Sequence, residues 1–121
     1  MVLVDTSVWV DFLRSGDEGL SNLLRQSQVC IHPMIVGELA CRHLKNRQQL
    51  LRLYQNLPKS VEASHEEAMF LLESNNLMGK GIGFVDLHLL ASTRLSANTQ
   101  LWTRDKRLQQ LAKDFEIAFS S

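Results

Sequence analysis

The sequence predicts an α/β sandwich built around a mostly parallel sheet, and three observations carry that prediction. The apolar, β-branched run Val2-Leu3-Val4 ends on Asp5, the pattern of a buried strand that delivers an acid at its carboxyl end. A second run, Gln100-Leu101-Trp102-Thr103, ends the same way on Arg104-Asp105. Between them, segments with apolar residues at helical spacing alternate with short apolar runs, an order that builds parallel strands through right-handed crossovers.

Taken in order, Asp5 is followed by a short helical stretch over 8–13, with Thr6 or Ser7 placed to cap it. Asp5 itself reads equally as a turn residue and as a site residue. Ser15-Gly16-Asp17 breaks the pattern, and Leu20, Leu23 and Leu24 mark a second amphipathic helix to about Gln26. Val29-Cys30-Ile31 reads as a short strand, and Pro33 suits the first position of the helix that carries Glu38. Apolar neighbours Met34, Ile35, Leu39 and Ala40 leave Glu38 at the margin of that face or pointing inward.

Asn46 is the expected cap of the next helix, with Leu50, Leu51, Leu53 and Tyr54 on its inner side and Pro58 as its stop. A brief extended piece at Val61-Glu62-Ala63 leads into Ser64-His65-Glu66-Glu67, which fits a capping box and opens a helix to about Met78. The loop Gly79-Lys80-Gly81-Ile82-Gly83 is not a phosphate loop, because a glycine follows Lys80 where Ser or Thr would be needed. It opens instead onto a helix apolar on most sides, with Asp86 in its first turn, where the macrodipole favours an acid. After the strand ending at Thr103 comes a final helix with Leu108, Leu111 and Ala112, and Phe115-Glu116-Ile117 reads as an edge strand.

The 121 residues match one domain, 1–121, with 45% hydrophobic and 21% charged residues arguing against disorder. No apolar run reaches the roughly 18 residues that span a bilayer, and no leader pattern is present, so a cytoplasmic protein is expected. Cys30 and Cys41 are expected as small buried hydrophobes, and Trp9 and Trp102 as core or dimer packing. Formal charge is zero, with 13 basic and 13 acidic residues. If four of the acids are neutralised at one site, the rest of the surface is mildly cationic.

Those four are Asp5, Glu38, Asp86 and Asp105. Two follow strands directly and two lie early in helices that start from the same sheet edge, so parallel topology brings them to one rim. Clustered carboxylates repel and resist desolvation, and a divalent cation relieves both. Oxygen ligands select Mg²⁺ or Mn²⁺, while His32, His43, His65 and His88 lack ligand spacing. Such a metal suits phosphodiester hydrolysis. Arg42, Lys45, Arg104, Lys106 and Arg107 are candidates for contacts to a nucleic-acid backbone.

Asp5-Thr6-Ser7-Val8-Trp9, the isolated Glu38, Asp86-Leu87-His88-Leu89-Leu90-Ala91 and Thr103-Arg104-Asp105-Lys106-Arg107-Leu108 resemble the motifs of PIN-domain nucleases. Among these the chain looks most like the VapC-type toxins. The resemblance implies a three-layer α/β/α sandwich with a mostly parallel sheet of about four to five strands. It implies Mg²⁺- or Mn²⁺-dependent endoribonuclease activity, with Asp5 and Asp86 as principal metal ligands and Glu38 and Asp105 completing the acidic quartet. Thr103 matches a supporting hydroxyl, and Thr6 and Ser7 fall where they steady Asp5 or a bound water. Implied partners are the RNA substrate, a cognate antitoxin lying across the active groove, and a second copy in a homodimer that assembles further. RNA in preference to DNA rests on the resemblance alone, because a metal-activated water does not need the 2′-OH.

Three alternatives fit less well. A phosphatase with an Asp nucleophile needs an acid two positions on, where Ser7 stands. A receiver-type signalling domain needs a lysine after its late strand, which Trp102-Thr103-Arg104 does not supply. A catalytically silent PIN-like scaffold would be expected to have lost carboxylates, and all four are present.

Overall fold

The structure, a computed structural model, describes residues 1–120. Three parallel strands form its sheet: β1 (Val2–Val4) at the centre, flanked by β2 (Val29–Cys30) and β3 (Gln100–Trp102), in the order β2-β1-β3. Leu3 pairs with Cys30 on one side and Leu101 on the other. Helices α1 (Thr6–Ser15), α2 (Glu18–Arg25), α3 (Pro33–Ala40), α4 (Arg47–Asn56), α5 (His65–Ser74), α6 (Phe84–Leu95) and α7 (Lys106–Asp114) complete the order.

β1 is buried along its whole length, and each of its side chains removed from water contributes about 1.5–3 kcal/mol. The chain leaves β1 toward β2 on one side and returns as β3 on the other. The carboxyl end of β1 is therefore the point where strand order reverses, the usual place for a ligand crevice in such sheets. Asp5 occupies that point.

The sheet has fewer strands than the four to five expected, for a local reason in each case. Val61-Glu62-Ala63 runs extended but finds no ladder, since Ser96 Oγ accepts from Val61 N–H at 2.9 Å and Ser92 Oγ from Ala63 N–H at 3.0 Å. Ile31 forms an isolated bridge with Lys59. The expected edge strand over 115–117 is displaced: Phe115 ends α7 and Glu116 turns left-handed (φ 60°), so only Ala118 bridges to Leu101.

Other local expectations are corrected as well. Helix α1 starts at Thr6, with Asp5 at the N-cap and no side-chain cap, because the hydroxyls of Thr6 and Ser7 turn toward acids. Asn46 stands at the N-cap of α4 but in the left-handed region, where its side chain makes no capping bond. On that helix Tyr54 is buried, whereas Leu53 is 40% exposed. Helix α5 ends at Ser74, not at Met78, since Asn76 takes a positive φ. Cys30 is buried, but Cys41, just past α3, is exposed.

The remaining caps follow the sequence. Pro33 opens α3, and the Ser64/Glu67 capping box opens α5. Trp9 and Trp102 are both core residues, Trp9 meeting Tyr54 edge-on at 5.0 Å. Helix α6 is buried from Leu87 to Thr93 and runs through the centre of the packing.

One buried polar link joins two of the helices that matter below. His32 Nδ1 accepts the Met34 N–H at 3.1 Å and caps α3, which leaves Nε2 as the donor toward Ser92 Oγ on α6, 3.1 Å away. Burial pushes the His32 imidazole below its ordinary 6.5, and the neighbouring Glu62 only partly opposes this.

Candidate active site

At the carboxyl end of β1, Asp5 is 7% exposed. A buried carboxylate needs donors, and two hydroxyls supply them: Ser7 Oγ and Thr103 Oγ1 each donate to Asp5 Oδ2 at 2.8 Å. The same hydroxyls accept in turn, Ser7 Oγ from Arg104 N–H at 3.0 Å and Thr103 Oγ1 from Asp105 N–H at 3.1 Å. This closed network ties the end of β1 to the loop after β3. With both donors on Oδ2, Oδ1 has no protein hydrogen bond among the described residues.

The other three acids are held separately. Glu38, on the exposed face of α3, accepts from Thr6 Oγ1 at 2.6 Å. Asp86 is half-buried in the first turn of α6 and accepts from Gly83 N–H at 3.2 Å. Asp105 caps α7, its Oδ1 accepting from Arg107 N–H and Leu108 N–H, each at 3.0 Å.

All four share one field. The Asp86 carboxyl is raised above its ordinary 3.8, first by burial and then by the charges of Asp5, Asp105 and Glu38, against the lowering effect of the Gly83 N–H. Asp5, Asp105 and Glu38 thus all lie close enough for their charges to act on Asp86. Among the described residues, no three His, Cys, Asp or Glu side chains lie at the spacing of ligands around one ion. Each acid is drawn toward its own donor, Thr6, Ser7 with Thr103, Gly83 or the start of α7, which keeps like charges apart. An oxygen-only donor set with unbalanced charge fits a hard divalent cation.

Of the basic candidates, Arg104 departs from expectation. Its guanidinium pairs with Asp11 on α1 and with Asp17 Oδ2 at 2.6 Å, and so clasps α1 and the start of α2 to the β3 loop. That contact holds the Asp11 carboxyl below the usual range. Neither partner was legible in the sequence, since Asp11 lies 93 residues from Arg104. Arg42 and Lys45 line a groove of about 380 Å³ beyond the carboxyl end of α3, floored by Val10, Leu13, Leu44 and Leu50. Lys106 borders a shallow depression beside Asp17 and Trp102. A depression of about 740 Å³ lies at the opposite, amino-terminal edge of the sheet, lined by Met1, Asn98 and Gln100 among others, and none of the four acids lines it.

The family model described as PIN domain matches residues 2–114. This chain belongs to the PIN domain family. Two curated relatives, both named Ribonuclease VapC32 and from Mycobacterium tuberculosis strains CDC 1551 / Oshkosh and ATCC 25618 / H37Rv, are each 39% identical to it over 120 residues. The match covers 99% of this chain and 97% of each relative. Within this PIN domain Asp5, with the Ser7 and Thr103 hydroxyls bonded to it, stands at the strand-order reversal.

Proposed function

We propose that this PIN domain is a metal-dependent endoribonuclease that hydrolyses RNA phosphodiesters, the toxin of a type II toxin–antitoxin pair. The observation that carries the reading is the acidic rim: the half-buried Asp86 feels Asp5, Asp105 and Glu38 at once, while Asp5 is locked by two hydroxyls. Near-full-length similarity to proteins named as ribonucleases supports it.

In this reading Asp5 and Asp86 are the main ligands of Mg²⁺ or Mn²⁺, with Glu38 and Asp105 completing the set. A divalent ion held by these carboxylates would supply Lewis-acid chemistry there, polarising a phosphoryl oxygen and lowering the pKa of a water. Ser7 and Thr103 keep Asp5 turned so that Oδ1 faces outward, and Thr6 steadies Glu38. Arg42, Lys45 and Lys106 serve as electrostatic contacts to the RNA backbone. A cognate antitoxin would suppress the activity by covering the rim, and assembly with a second copy follows from the same likeness.

The test is cleavage of defined RNAs by the purified protein with Mg²⁺ or Mn²⁺, with and without chelator. The expected result is chelator-sensitive cleavage that Asp5→Ala abolishes while the circular dichroism spectrum is unchanged. Cleavage that persists in Asp5→Ala overturns the assignment. Co-expression with the product of a short adjacent reading frame tests the pairing, with loss of cleavage on complex formation as the expected result.

A further inference from the structure

One cation beside the acidic rim remains unexplained by the fold. Arg107 stands in the first turn of α7, two residues from Asp105, and its backbone N–H is already bonded to that acid's Oδ1. Its guanidinium forms no ion pair among the described residues, although Asp105 stands only two residues away. Instead the side chain lies across the loop that leads into α6. A Cβ placed on Gly81 would stand 2.6 Å from Arg107 Cδ and 2.9 Å from Cζ, closer than real carbon contacts come.

The seat is specific to that position. Gly79, in the same loop with nearly the same backbone (φ 75° against 82°), has nothing within 4 Å of its would-be Cβ. Gly81 is two residues before Gly83, whose N–H bonds Asp86, so the guanidinium rests on the loop that leads into the Asp86 turn. It is thus flanked by the elements that present Asp86 and Asp105. An exposed guanidinium without an ion pair keeps its planar donor fork for an anion from outside.

We propose that Arg107, seated on Gly81, receives a backbone phosphate of the RNA strand next to the one held at the acidic rim. The positive φ at position 81 already favours glycine, and a side chain there would in addition have to displace that guanidinium. The proposal rests on RNA being the substrate, and it gives the strand a direction across the rim, from the four acids toward the 79–83 loop.

The test reads binding, apart from cleavage. In an Asp86→Asn background, the affinity for a short fluorescein-labelled single-stranded RNA is measured by anisotropy across a salt series. Arg107→Ala is expected to weaken binding roughly tenfold and to flatten the slope of log K against log salt by about 0.7, the share of one phosphate on a single strand. Arg107→Lys should restore most of the slope, because the charge remains.

Gly81→Ala and Gly79→Ala should lose similar thermal stability, since both put Ala at positive φ. Only Gly81→Ala should also flatten the salt slope. An unchanged slope in Arg107→Ala, or equal RNA affinity of the two glycine variants, overturns the proposal, as does failure of the Asp86→Asn protein to bind RNA. A lower melting temperature of Arg107→Ala with an unaltered slope would make it a mere strut and overturns it too. Cleavage by the wild type with an unaltered slope sinks this assignment alone. Binding with the altered slope but no metal-dependent cleavage sinks the nuclease reading and supports the phosphate contact.

Discussion

Replacing Thr103 with valine removes one oxygen from the buried network and keeps nearly the same shape. The hydroxyl is 3% exposed at the residue level, donates to the charged Asp5 Oδ2 at 2.8 Å and accepts from Asp105 N–H at 3.1 Å. A hydrogen bond to a charged group contributes about 1.5–3 kcal/mol, and the Asp105 N–H, near the surface, finds water once abandoned. Thr103→Val is therefore expected to cost about 2 kcal/mol, or roughly 8 °C in Tm for a domain of this size. Thr103→Ser, which keeps the hydroxyl, should cost roughly half as much, through lost methyl burial alone.

Ser7→Ala removes the other donor to the same oxygen. The double variant should lose more than the sum of the singles by at least about 0.5 kcal/mol, because the second deletion strips a buried carboxylate of its last donor. Urea unfolding monitored by Trp9 and Trp102 fluorescence measures all four proteins. A Thr103→Val cost under about 0.5 kcal/mol, or additivity within about 0.3 kcal/mol, would refute the claim that these hydroxyls hold Asp5.

Other perturbations test the charge balance of the rim. Asp86→Asn keeps the oxygen that accepts from Gly83 but removes a charge disfavoured by burial and by three acids, so it should raise stability at neutral pH while cleavage is lost. The sign follows from linkage: above 3.8 the folded state holds the Asp86 proton longer than the unfolded chain, so stability falls as pH rises through the raised pKa. A less stable Asp86→Asn at neutral pH contradicts this. Adding Mg²⁺ or Mn²⁺ should raise Tm, by about 2.7 kcal/mol of stability at a hundredfold excess over Kd, and a melt indifferent to both ions would count against the metal site. His32 titrates the opposite way. Its folded pKa lies below 6.5, so the unfolded chain binds the extra proton first and stability is lost as pH drops below 6.5. His32→Asn, which still caps α3, should show a flatter dependence of Tm on pH from neutral to mildly acid. An identical dependence in the two proteins sinks that role.

Local patterns determined much of this molecule. The buried runs at Val2–Val4 and Gln100–Trp102, the Pro33 helix start and the Ser64/Glu67 capping box all depend on residues within a turn or two of one another. Asp5, Asp86 and Asp105 stand out because each lies at the end of a strand or in the first turn of a helix, whereas Glu38, expected early in its helix, falls in the last turn of α3 and has no such local signal.

Only the tertiary structure decided who serves whom there. Thr6 turns to Glu38 across 32 residues, Thr103 turns to Asp5 across 98, and Arg104 is taken by Asp11 and Asp17. The same holds for strand number, since an extended segment becomes a strand only where a neighbour offers a ladder, and Val61–Ala63 met serine hydroxyls instead. Hydrogen bonds are short-ranged and directional, so their partners are fixed by where distant segments cross, whereas burial and helix periodicity are written into adjacent residues.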